Sequence, residues 1–224
     1  MDVYTTTVKF FQEGGLFMYP IAIVLGLGIA IAIERWLYLT LTTAKNKELW
    51  GSVTPYLRSG NLAGAMQVTT KSKAAIAQIM TYGLNRVRSA RKREDVEQAM
   101  EESLMEVLPR LEKRTHYLAT FANIATLLGL LGTIVGLISA FTAVSTANPA
   151  DKADLLSASI SVAMNTTAFG LIVAIPLLLV HTLLQTKTTE IIDSLEMASV
   201  KFLNAITERA TGDAQPAAAA KAAG

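Results

Sequence analysis

Three stretches of this chain, residues 14–33, 117–150 and 155–186, contain no Asp, Glu, Lys or Arg. A helix needs roughly twenty apolar residues to cross a hydrocarbon layer about 30 Å thick. The first stretch matches one crossing. The second and third are longer, which predicts helices that project beyond the bilayer as rigid extensions. Neither has polar turn residues at its middle, so neither crosses twice. The reading is an all-α integral membrane protein with three transmembrane helices and long cytoplasmic helical extensions. Composition agrees: 51% of residues are apolar and 17% charged, against a usual quarter charged, and the mean hydropathy is +0.38. The absence of cysteine excludes disulfides, thiolate metal sites and cysteine nucleophiles. Two histidines, His116 and His181, leave little for a metal centre, and a net charge of +2 is too small to indicate nucleic acid.

Lys and Arg are concentrated between the first two spans. Thirteen lie from Lys45 to Arg114, and Arg35 stands at the end of the first span. Only Lys9 precedes that span, and only Lys152 lies between the second and third. Positive charge marks the cytoplasmic side, so the N-terminus is expected outside and the C-terminus inside. Asp2 precedes the first cation and no small-residue cleavage site follows a short apolar core, so the start does not read as a cleavable signal. The expected organisation is a periplasmic segment (1–15), a first span (16–42), a cytoplasmic helical loop (43–116), a second span (117–145) and a short periplasmic loop (146–155). A third span (156–186), a cytoplasmic helix (187–210) and a disordered tail (211–224) follow. Within the loop, Val96, Met100, Leu104, Leu108 and Leu111 recur at helical spacing behind an acidic start, with Pro109 expected to kink the helix. A shorter helix is expected over 74–87, and Ser59-Gly60-Asn61 reads as a helix-ending turn.

Ionisable residues near the membrane are few. Glu34 and Arg35 sit together at the inner end of the first span, beside Trp36 and Tyr38. They read as a snorkelling membrane-boundary pair, or as residues for ion exit or partner docking. His181 reads as an interfacial histidine, with proton acceptance as the alternative. The basic run Arg91-Lys92-Arg93 reads as a solvated or lipid-facing turn, or as a site for an acidic partner.

Uncharged polar residues carry more. Thr126 and Thr133 share a face of the second span, next to a stripe of small residues at Gly132, Gly136 and Ala140. On the third span Ala163, Thr167, Gly170 and Ala174 fall on one side, Ser161 and Asn165 on another, and Pro176 interrupts the backbone bonding. Two readings stand. Small residues let helices pack closely in lipid, with threonines bonded to their own backbones. Alternatively, hydroxyls without fixed charge line a pathway that holds water or a cation loosely enough to release it.

The run Leu128-Gly129-Leu130-Leu131-Gly132-Thr133-Ile134-Val135-Gly136 resembles the second-span motif of the MotA/TolQ/ExbB family of bacterial proton-channel subunits. Thr166-Thr167-Ala168-Phe169-Gly170-Leu171-Ile172-Val173-Ala174-Ile175-Pro176 resembles its third-span motif, and Glu34-Arg35 also matches. The resemblance covers residues 10 to 208 and is closest to the three-span ExbB/TolQ branch. It implies a homo-oligomer, a pentamer of this chain, in the lipid of the bacterial inner membrane around a single-span partner similar to ExbD or TolR. That partner would bring a membrane Asp, and a TonB-like protein would be a further partner. The complex would use ion flow to energise a periplasmic or outer-membrane process. Thr133 and Thr167 would line the pathway, with Thr126, Asn165 and Thr166 near it. Gly132, Gly136, Gly170 and Pro176 would serve helix packing. No cofactor, metal, catalytic residue or nucleic acid is implied.

Two positions depart from the family pattern. Val162 stands where many members carry an acid, and Ala125-Thr126 replaces Ala-Pro. These changes, with the extra oxygens of Thr126, Asn165 and Thr166, leave sodium open beside the proton as the coupling ion. A scaffold that only anchors other proteins is the competing reading. Catalysis lacks convergent acids and bases in the spans, and three spans without repeats make no alternating-access pair.

Overall fold

Most of each charge-free stretch lies in a long helix. The computed structural model describes residues 14–222 apart from 88 and 91, with side chains to residue 207. In chain order the helices are α1 (Met18–Ser59), α2 (Leu62–Lys71), α3 (Ala75–Val87), α4 (Arg93–Glu112), α5 (Thr115–Thr146) and α6 (Lys152–Ala222). Three helices among the described residues are long and apolar enough to cross a membrane. The expected N-terminal segment falls largely outside the described residues, as does Arg91 of the basic run. Side chains of the expected disordered tail also fall outside them; its backbone is assigned to α6 as far as Ala222.

Local chemistry explains the helix boundaries. Gly15 takes a positive φ of 73° just before α1, and Pro20 lies within the first turn, where a missing N–H costs little. At the other end Gly60 is left-handed at φ 74°. There Gly60 N donates to Leu57 O (3.2 Å) and Asn61 N to Tyr56 O (3.0 Å), the paired bonds of a Schellman cap. Asn61 Oδ1 then accepts from Gly64 N at 2.8 Å and starts α2, so one turn closes a helix and opens the next. At α4, Asp95 Oδ2 accepts from Lys92 N at 3.2 Å, and Glu94 and Asp95 occupy the first turn, where the helix dipole favours negative charge. Helical assignment runs through Pro109 and ends one turn later, with Lys113 N donating to Pro109 O (3.0 Å). Arg114 is left-handed at φ 64°, and α5 begins at Thr115.

The chain divides into two units, Met1–Arg35 with Arg114–Gln185, and Trp36–Lys113 with Thr186–Gly224. In the first unit small residues make the contact between α5 and α6 and many large apolar ones lie outside, while Met18, Ile21, Leu118 and Leu184 are also buried. Ala122, Ala125, Ala140, Ala163 and Ala174 are buried, whereas Ile134, Ile138, Phe141, Ile172, Ile175 and Leu179 are exposed. That arrangement suits a lipid surround, where an apolar exterior costs nothing and close backbone approach holds the helices together. A Cβ on Gly129 would lie 3.3 Å from the Cα atoms of Gly170 and Thr167. One on Gly170 would lie 2.7 Å from Ala125 O, and one on Gly136 2.8 Å from Ala163 Cβ. On Gly132 it would overlap Thr166 Cγ2. The sequence reading assigned Gly132, Gly136 and Gly170 to packing; Gly129 does the same work.

The second unit buries larger apolar side chains. Val53, Leu57, Ile76, Ile79, Met80, Met100, Leu111, Leu195 and Phe202 are buried, and α3 carries a buried face of Ile76, Ala77, Ile79, Met80, Gly83 and Leu84. Gly83 is small because Met100 and Phe202 fill the space a side chain would need, at 2.8 and 2.9 Å from a built Cβ.

Replacing Gly170 by Ala should destabilise the protein by about 1–3 kcal/mol, because the neighbour it meets is backbone and cannot turn aside. Gly26→Ala, whose Cβ meets nothing within 4 Å, should cost nothing. Thermal unfolding of the detergent-purified protein compares the two; equal loss would refute the packing account.

Candidate functional site

The second- and third-span threonines meet. Thr133 Oγ1 and Thr167 Oγ1 lie 2.6 Å apart. Thr167 Oγ1 donates to Gly129 O at 2.8 Å, and that carbonyl also lies 3.2 Å from Thr133 Oγ1. Three oxygens from α5 and α6 therefore converge. Gly129 makes this possible twice over: its carbonyl, four residues before Thr133, is the shared acceptor, and its missing side chain lets α6 come close. Its signal in the sequence was its place in the Leu128–Gly136 motif, but it was not singled out as a site residue.

Each hydroxyl has one proton. With Thr167 donating to Gly129 O, the short contact is satisfied when Thr133 donates to Thr167 Oγ1. Both protons are then held inside the cluster, and the free valences of the half-buried Thr133 are lone pairs. Such a surface accepts from water, a protonated acid or a cation, and offers no donor to an anion.

The other expected pathway residues do not join this cluster. Thr126 is exposed and its hydroxyl donates to Ala122 O at 3.1 Å. Thr166 is 2% exposed, with Gly14 O at 2.5 Å and Val162 O at 3.0 Å from its hydroxyl. It turns inward because its neighbour Thr167 faces α5 and successive helical residues are rotated by about 100°. Asn165 is half-buried. Pro176 lies inside α6, which continues through it.

Glu34 and Arg35 have different surroundings. Glu34 Oε2 accepts from Arg114 Nη1 at 3.0 Å, with both side chains 47% exposed. Arg35 is buried, at 2% exposure, so it does not snorkel. In the second unit Lys187 Nζ lies 4.4 Å from the centroid of the Trp36 ring and donates to Thr40 Oγ1 at 2.6 Å. A cation over an exposed indole is a common membrane-boundary device; Lys187 was missed because its partners lie far away in sequence. His181 is half-buried, and the His116 ring stacks at 4.4 Å on Tyr117. No group of three or more potential metal ligands occurs among the described residues.

The long apolar helices make this a multi-pass membrane protein. Residues 71–197 match the MotA/TolQ/ExbB proton channel family, and the chain belongs to that family. It is also similar to an ExbB homolog of Methanothermobacter thermautotrophicus named for biopolymer transport, 27% identical over 198 residues, spanning 88% of this chain and 69% of that protein. This is a transport and channel family rather than an enzymatic one.

Thr133→Val and Thr167→Val should each cost about 1 kcal/mol, the usual net worth of one hydrogen bond. Gly129 O stays within reach of whichever hydroxyl remains. With one proton per hydroxyl, the double variant removes both bonds and should cost at least the sum. A double variant no less stable in thermal unfolding than the worse single one would show that the remaining hydroxyl does not keep Gly129 O.

Proposed function

We propose that this chain is the multi-copy channel subunit of an ExbB–ExbD- or TolQ–TolR-type complex in the bacterial inner membrane. Its N-terminus is periplasmic and its C-terminus cytoplasmic, as the Lys and Arg distribution suggests. Five copies surround a single-span partner whose membrane Asp carries the titratable charge. Ion flow through the complex energises a periplasmic or outer-membrane transport process, with a TonB-like protein as a further partner.

The observation that carries this reading is the Thr133–Thr167–Gly129 cluster, set in helices without a single carboxylate across residues 117–150 and 155–186. It can hold a protonated group but cannot itself take up and release a proton. A relay therefore requires an acid from elsewhere. Membership of a proton-channel family supports the same assignment.

The match to a family described as proton channels supports the proton as the coupling ion. Of the extra oxygens that left sodium open, the Thr166 hydroxyl lies buried against Gly14 O and Val162 O and the Thr126 hydroxyl bonds Ala122 O on its own helix, so neither joins the Thr133–Thr167 cluster.

The test is ion flux through the reconstituted complex. Thr133→Val and Thr167→Val should assemble with the partner yet lose at least tenfold in proton flux, with no change when sodium is replaced by potassium at fixed pH. Wild-type flux and driven activity in both variants would favour the scaffold reading. Equal conduction by this chain alone in liposomes would remove the need for the partner's acid.

A further inference from the structure

Outside the hydroxyl cluster, the second unit contains a groove of about 340 Å³ between α1 and α6. Its walls follow helical spacing on both sides: Thr43, Asn46, Lys47 and Trp50 on α1, and Ser194, Met197, Ala198 and Lys201 on α6. Its charged lining residues are both cations, Lys47 and Lys201. Asn46 is 5% exposed and its Oδ1 accepts from Ile76 N at 3.3 Å, which ties α1 to α3. The rest of the wall is Trp50, Ile76, Met197 and Ala198 with the uncharged Thr43 and Ser194, so the two lysines are its only charges among the described residues.

A complementary surface lies on the same chain. The buried side of α4 comprises Val96, Met100, Ser103, Val107 and Leu111. On its outer side Glu94, Glu101 and Met105 are exposed and fall on one stripe. Neither glutamate forms an ion pair among the described residues; the α4 pair is Arg110–Glu106. Seven residues of helix separate Glu94 from Glu101 by about 10 Å, close to the 8–10 Å between packed helices such as those carrying Lys47 and Lys201.

We infer that the acidic stripe of α4 from one copy of the chain docks into the Lys47–Lys201 groove of the next. Glu94 and Glu101 meet the two lysines, and Met105 lies against the apolar lining at Trp50 and Met197. Groove and stripe are different surfaces, so the contact is head-to-tail, the kind that builds a ring when its rotation closes, rather than a two-fold dimer. The inference rests on the reading that the chain acts as a homo-oligomer, and it assigns that oligomer a cytoplasmic interface.

The lack of native cysteine makes disulfide trapping free of background. In membranes containing the full complex, Lys201→Cys with Glu101→Cys should give a ladder of covalent oligomers under oxidation, and each single variant should remain monomeric. A doubly substituted chain that bridges only within itself, or not at all, while native mass still shows the oligomer, would overturn the interface and leave the oligomer intact. Loss of the oligomer in the unsubstituted chain would instead overturn the reading beneath it. Charge reversal adds a second arm. Lys47→Glu with Lys201→Glu should lower the oligomeric fraction several-fold, and Glu94→Lys with Glu101→Lys in the same chain should restore it. Failure of that rescue would assign the groove to another anion and refute the contact.

Discussion

In hydrocarbon, two apolar helices gain nothing by leaving lipid for each other, so contact between them must come from packing and hydrogen bonds. The first unit meets this requirement where α5 and α6 touch backbone to backbone at Gly129 and Gly170. Everything else about the site depends on that approach. Were either residue larger, Thr167 would stand too far from Gly129 O to donate to it, and the two threonines would return to the ordinary bond with their own preceding turn. The glycines are therefore part of the chemistry as well as the packing.

The two units are packed differently. In the first the α5–α6 contact is made of glycines and alanines, with Ile134, Ile138, Ile172 and Ile175 exposed; in the second Val53, Ile79, Met80, Leu195 and Phe202 are buried. Removing apolar area from water accounts for the second, whereas size and hydrogen bonding select what lies between α5 and α6. Glu34 with Arg114 belongs to the first unit, and Lys187 over Trp36 to the second. Both combine a charge with an amphipathic or partly exposed setting, as residues at a membrane boundary do.

Two hydroxyls and one carbonyl can keep both protons among themselves, which leaves acceptors facing out. Such a surface accepts from a donor without changing its own charge. On the proposed reading, the titrating group belongs to a partner, whose neutral form would lower the cost of carrying the ion through hydrocarbon.

Much of this was legible in the one-dimensional pattern. Spans follow from runs without charge, and the turn at Ser59-Gly60-Asn61 from residues whose backbone preferences are local. The glycine stripe and the motif around Thr133 could also be read, because small residues and hydroxyls are rare enough in such helices to stand out. Helix rotation and depth could not. Thr166 and Thr167 are adjacent in sequence, yet one faces the interior beside Gly14 and the other completes the cluster. Arg35 is buried while Glu34 reaches across to Arg114. Composition and periodicity determined that there are spans and which residue types line them, since hydration of each segment is a property of that segment alone. Only the tertiary structure decided which oxygens meet, because a helix's rotation about its axis is set by the neighbour it packs against.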